Sequence, residues 1–277
     1  MRNTWAVCRR EFSAFFLTPV GYIVTGVFAL ISGLAFALSL FTYAKMSVDP
    51  TSYGYSTVPD FAETFLSPYL VFTGIWIMFL SPLITMRLLA EERHRGTMEL
   101  LLTWPLRDRE IIFGKYLASL GILLVLMLIV SVHLLVVSRF VALEPAVIIF
   151  GVCTVWLMGM AFLAIGLFVS ALARSQITAG IVTFGGFLLL YILGNVGEKL
   201  PAANPAPAAW PETVRTAFGG GYALFRGLVM ELALDNHARD MALGVVSPPD
   251  IAYYLLVSAF FLFLTFRALE SRHWRGK

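Results

Sequence analysis

Charge is scarce in this chain. Asp, Glu, Lys and Arg make up 13% of its 277 residues, about half the share of a soluble domain, and the mean hydropathy is +0.82. That deficit excludes an ordinary soluble globular class. Cysteine is nearly absent: Cys8 precedes the first apolar run and Cys153 lies within the fourth, so neither a disulfide framework nor a metal cluster is implied. Both read as small apolar fillers. No HExxH, GxSxG or Asp pair appears, and Gly114-Lys115 is followed by Tyr116 without the upstream glycine of a Walker A loop. The chain is therefore read as non-catalytic, with no cofactor or metal of its own. A cleaved leader is not expected either. Arg9-Arg10-Glu11-Phe12 faintly resembles a twin-arginine signal, but the apolar run from Val20 exceeds a signal core and no clear cleavage site follows.

What is present is long uncharged sequence. Val20–Ala44, Thr64–Met86, Tyr116–Ser138, Pro145–Ala173 and Gln176–Gly197 contain no Asp, Glu, Lys or Arg, and each can supply the roughly 20 helical residues that cross a bilayer. Ile251–Phe266 is shorter, but Arg267 can snorkel and extend it. The expected fold is all-α, a polytopic membrane protein with six transmembrane helices. Of the twenty basic residues, fourteen fall on the side of the termini and six opposite, while the seventeen acids divide seven and ten. The positive-inside rule makes the side of the termini cytoplasmic. The net charge of +3 thus reports topology and not a nucleic-acid site. No internal repeat suggests the inverted halves of many secondary transporters.

Two regions are expected: residues 1–18, a cytoplasmic interfacial helix, and residues 19–277, the six-span domain. In the first, Trp5, Cys8, Phe12 and Phe15 recur at steps of three and four while Asn3, Arg10 and Glu11 point elsewhere. Thr18-Pro19 ends it. Outside, Lys45–Glu63 reads as a compact turn-rich loop and Arg139–Glu144 as a tight turn. The large external segment 198–250 opens with prolines that forbid a regular helix. Its apolar stretch Thr216–Phe225 is too short to cross, and Glu231–Leu243 can form a short surface helix. In the fourth span Gly159, Gly166, Ser170 and Ala173 share one face, a packing seam either within one subunit or between two. His133, the one ionisable group inside a span, reads as a packing hydrogen-bond donor or a proton relay.

The segment 87–110 breaks this pattern with ten charged side chains. Burying all ten in lipid would cost about 25 kcal/mol or more, so the segment belongs in water between spans two and three. Its centre is nevertheless apolar. Gly96-Thr97 marks a helix start, and Thr97-Met98-Glu99-Leu100-Leu101-Leu102 can make two turns before Pro105 stops them. Met98, Leu101 and Leu102 share a face, with Glu99, Glu91 and Glu92 at the rim. Such a helix docks in a groove of another protein or lies flat on lipid headgroups; the pattern allows both.

The same residues carry a family likeness. Arg87-Leu88-Leu89-Ala90-Glu91-Glu92-Arg93, Gly96 through Thr103 with Pro105, then Glu110-Ile111 and Gly114-Lys115 resemble the signature of membrane subunits of ATP-binding-cassette exporters of the second permease class. The opening Phe15–Tyr22 and the close, Gly244–Asp250, Tyr253, Phe260–Thr265 and Leu269–Trp274, are similar to the gliding-motility permease branch. The resemblance implies a permease subunit of an exporter or force transducer in a bacterial inner membrane, with Glu91–Pro105 as a coupling helix on a separate ATPase that holds ATP and Mg. It implies a second permease copy or paralogue. An accessory envelope protein is a further possible partner through the external segment. Rival readings are an ATPase-independent secondary transporter and a membrane scaffold.

Overall fold

Helices carry the architecture. The computed structural model describes residues 2–94, 96, 107–141, 145–207, 209–232 and 247–273, and among these no strand occurs. In chain order the helices are α1 (Arg2–Leu17), α2 (Pro19–Val48), α3 (Ser67–Thr85, entered through a π-helical turn at Ala62–Leu66), α4 (Ala90–His94), α5 (Asp108–Val137), α6 (Pro145–Leu172), α7 (Gln176–Lys199), α8 (Glu212–Leu232) and α9 (Pro248–His273). Among the described residues six stretches are long and apolar enough to cross a membrane, those built on α2, α3, α5, α6, α7 and α9. These are the six spans expected from the uncharged runs.

Helix α6 is the hub, packed against α9, α3, α5 and α7. The centre is built from Tyr69, Leu70 and Ile77 of α3, Leu123 and Leu126 of α5, and Phe162, Leu163 and Leu167 of α6, all buried. By contrast α2 and α7 leave Leu30, Leu34, Phe41, Ile181, Leu189 and Ile192 exposed, as lipid-facing helices do. In lipid nothing squeezes apolar helices together, so association rests on close backbone approach. Gly166 is such a point: a β-carbon there would overlap the Thr85 hydroxyl and lie 2.8 Å from Thr85 Cβ.

Backbone polar groups inside hydrocarbon need internal partners. Pro82 interrupts α3 and offers no N–H to the Met78 carbonyl, and the buried Ser81 hydroxyl donates to that oxygen at 2.9 Å instead. Thr73, Thr85, Ser119, Thr154 and Thr265 likewise donate to carbonyls of their own helices. The α1–α2 corner follows from its residues. Thr18 is extended, as the residue before a proline prefers, its hydroxyl donates to Phe15 O at 2.9 Å, and Pro19 begins α2. A β-carbon at Gly21 would strike the Phe15 carbonyl, so only glycine lets the chain return so closely on itself.

The segments read as external depart from expectation. Helix α2 continues through Lys45 to Val48, so the first loop is shorter than Lys45–Glu63. The apolar stretch Thr216–Phe225 is not an isolated element but the middle of the 21-residue α8. Glu231, expected to begin a second surface helix, sits at the end of α8, while residues 233–243 lie outside the described residues. The cause is tertiary: α8 is strapped to neighbouring helix ends. Tyr222 donates to Pro201 O at 2.7 Å, Arg226 Nε to Leu200 O at 3.3 Å, and Tyr253 of α9 to Glu231 O at 2.7 Å. Gly166→Val should lower stability by about 1–3 kcal/mol through overpacking, read as a lower thermal midpoint in detergent, whereas Gly185→Val, at a position with open space around it, should leave the midpoint unchanged.

Candidate functional site

Lys115 is the unexpected residue. It opens the apolar part of α5 and is 1% exposed. A buried ammonium is tolerated only when paired, and two carboxylates meet it: Glu11 Oε1 of α1 at 3.0 Å and Glu92 Oε1 of α4 at 3.0 Å. Arg10 closes the cluster, with Nη2 at 2.6 Å from Glu11 and 3.0 Å from Glu92. Two cations and two anions from three separate helices therefore form one neutral knot. Burial pushes the Glu11 carboxyl up, but Lys115 and Arg10 outweigh it and hold the group below its usual value of 4.5.

Close packing of α1 on α5 brings these groups together. A β-carbon on Gly114 would sit 2.7 Å from Val7 Cβ, and one on Gly121 would sit 3.1 Å from the Phe12 ring. One turn away, Asn3 Nδ2 donates to both oxygens of Glu110 at 3.3 Å, and Glu110 accepts from the Arg107 backbone N–H at 3.1 Å, holding the start of α5. The expected orientation of α1 is thus corrected. Glu11 and Asn3 face the protein, and so do Val7, Cys8 and Phe15, whereas Trp5 is 68% exposed at the rim of that face. Phe12 is half-buried beside α5. Apolar periodicity alone misplaced Glu11 because its partner is supplied by another helix.

The entry to the charged segment is tied down on its other side by α6. The Ser170 hydroxyl accepts from the backbone N–H groups of Leu89 and Ala90, both at 3.1 Å, which caps α4, and it donates to Met86 O at 3.4 Å. Arg93 Nη1 donates to Leu172 O at 2.9 Å, and its guanidinium also bonds the carbonyls of Ala171 and Ala173. A cation thereby sits on the negative end of the α6 dipole. Arg87 donates to the Thr18 hydroxyl at 3.1 Å and pairs with Glu91 at 3.5 Å. Glu11, Phe15, Arg87, Leu88 and Glu91 line a cavity of about 240 Å³ between these elements.

The residues singled out from sequence are distributed as follows. Glu91 and Glu92 lie in α4, and Gly96, with φ +69°, follows it in the left-handed conformation that commonly ends a helix. Thr97, Met98, Glu99, Leu100, Leu101, Leu102 and Pro105 lie outside the described residues. Gly159 stands against Leu123 of α5, Gly166 against Thr85, Ser170 against the Met86–Ala90 backbone, and the Ala173 carbonyl against Arg93. All four contacts are within the chain. His133 lies apart, near the opposite ends of the spans, with Nδ1 2.8 Å from the Tyr69 hydroxyl and its ring stacked on Phe36 at 5.0 Å.

The family model described as "ABC-2 family transporter protein" matches residues 5–215. That stretch runs from α1 into the first turn of α8 and contains every member of the knot. The chain belongs to the ABC-2 transporter family. It is accordingly a multi-pass membrane permease subunit of an ABC transporter, and membership implies an ABC ATPase partner. No curated protein matches the chain. Sequence reasoning noted Lys115 in the family signature but gave it no partner, because the third span was taken to begin one residue later, at Tyr116. The available signal was a lysine at the edge of an apolar run.

Lys115→Met should destabilise the permease by about 2–4 kcal/mol, since two half-buried carboxylates lose a shared cation. Adding Glu11→Gln and Glu92→Gln should recover most of that loss in thermal unfolding. The depressed Glu11 value also sets a pH dependence. Its stabilisation is complete above 4.5 and is lost as pH falls through the lower folded-state value. Glu11→Gln should lower the midpoint near neutral pH and flatten its acid decline, checked by melting curves from about pH 7 to 3.

Proposed function

We propose that this permease couples ATP hydrolysis in a separate ATPase subunit, which holds ATP and Mg, to movement of substrate or force across a bacterial inner membrane. In this reading both termini are cytoplasmic, the chain pairs with a second copy or a paralogue, and it belongs with the gliding-motility branch. The observation that carries the proposal is the fastening of the 87–93 stretch. Through Lys115, Ser170, Arg93 and Arg87 it is bonded to α1, α5, α6 and the α1–α2 corner. A displacement applied at residues 91–105 is therefore delivered to several spans at once, as a coupling element requires.

The roles follow. Met98, Leu101 and Leu102 enter a groove of the ATPase with Glu99 at its rim, while Glu91 and Glu92 tie the segment to Arg87 and to Lys115 and Arg10. Nucleotide binding closes the ATPase pair and shifts both coupling segments, changing which side of the paired permeases is open. Among the described residues the spans carry no Asp, Glu, Lys or Arg near their centres, which favours a bulky amphipathic or lipid-linked cargo over a small ion. The external α8 leaves Phe218, Phe225 and Leu228 exposed along one side, supporting an accessory envelope partner there.

Leu101→Asp tests the proposal. The variant should insert and fold normally but lose capture of its partner ATPase, and ATPase activity should cease to respond to the permease. Full assembly with coupled turnover in the variant would sink the docking role.

A further inference from the structure

The third and last spans enclose a groove that the coupling reading does not use. It lies where the start of α5 meets the last turns of α9, has a volume of about 580 Å³, and is walled by Ile112 and Phe113 on one side and Leu262, Phe263 and Phe266 on the other. Its lip carries two guanidiniums. Arg109 lies 5.8 Å from the Phe266 ring centre and Arg267 lies 5.2 Å from that of Phe263. Stacking on ring faces holds both cations at the border of the apolar surface. Among the described residues no carboxylate pairs with Arg109, while Arg267 Nη1 meets Glu270 Oε2 at 2.9 Å. Each guanidinium offers five N–H donors in a fork suited to phosphate oxygens, so one bond to Glu270 leaves Arg267 donors to spare. The lip is net positive.

We propose that this groove binds an anionic phospholipid of the cytoplasmic leaflet. Its phosphate is held between Arg109 and Arg267, and an acyl chain runs along the phenylalanines toward Ala259. Ala259 also lines the groove and lies about 12 Å along the helix axis from Arg267, a depth that matches the upper part of an acyl chain. Both arginines belong to the face rich in basic residues, the side on which positive pockets between spans meet anionic headgroups. A zwitterionic lipid brings its own cation to the same arginines and is the poorer fit. The two arginines share one ligand while coming from spans far apart in sequence, so the lipid clamps the last span to the third.

The test is native mass spectrometry of the delipidated full chain titrated with phosphatidylglycerol or phosphatidylcholine. One phosphatidylglycerol per chain should be retained about fivefold more tightly than phosphatidylcholine. Arg109→Gln/Arg267→Gln should abolish the preference, and the exposed Arg9→Gln should leave it intact. Millimolar inorganic phosphate should not displace the lipid. A photoactivatable phosphatidylglycerol probe on the unaltered protein should label peptides containing Phe113 or Phe263, which keeps the proposal testable if the double variant misfolds. Equal retention of the two lipids, unchanged preference in the double variant, displacement by free phosphate, or labelling confined to other spans each overturns it. So does loss of self-association in the double variant with lipid preference unchanged, which would assign the groove to a second copy.

Discussion

A lysine buried near the end of a membrane helix must have its charge answered locally, and much of this permease's polar end is arranged around that demand. Lys115 draws Glu11 from α1 and Glu92 from α4 to the same point, and Arg10 balances the second carboxylate. Lys115 could not be buried alone at acceptable cost. Together these groups make three helices separated in sequence behave as one piece. The glycine contacts that let α1 lie against α5 serve the same end, since a wider gap would break the short ion pairs.

Around that knot the remaining bonds have a common direction. Ser170 and Arg93 fasten the entry of the charged segment to the end of α6, and Arg87 fastens it to the Thr18 corner. Helix α6 in turn is the hub of the membrane bundle. The water-facing segment is thus attached to the part of the fold where most packing converges. In the proposed function this attachment transmits motion. In structural terms alone it explains why so much polar chemistry is gathered at one end of an apolar protein.

Several features were legible in the residues. The uncharged runs anticipated all six spans, because lipid tolerates few alternatives to a long apolar helix, although the third begins at Asp108, eight residues before the expected Tyr116. The break at Thr18-Pro19 was also legible, since proline restricts both itself and its predecessor. Gly166 and Ser170 stood out as small residues on one face, although their partners, Thr85 and the Met86–Ala90 backbone, could not be named from that face. The inward direction of Glu11 was read wrongly. The 21-residue extent of α8 was also missed, because its amphipathic turns gain their stability from carbonyls of Leu200 and Pro201 that no local pattern reveals.

The division has one physical source. Cost of transfer into hydrocarbon is a sum over residues, so composition alone determined membrane class, the number of spans and, through the basic residues, the expected orientation. Pairing of buried polar groups is a property of positions in space, and Lys115 acquires its meaning only when α1 and α4 arrive beside it. Tertiary structure therefore decided which charges are joined, which face of α1 is inside, and how the charged segment is anchored to the spans. Burial can be estimated one residue at a time, but a charge and its partner must first be brought together.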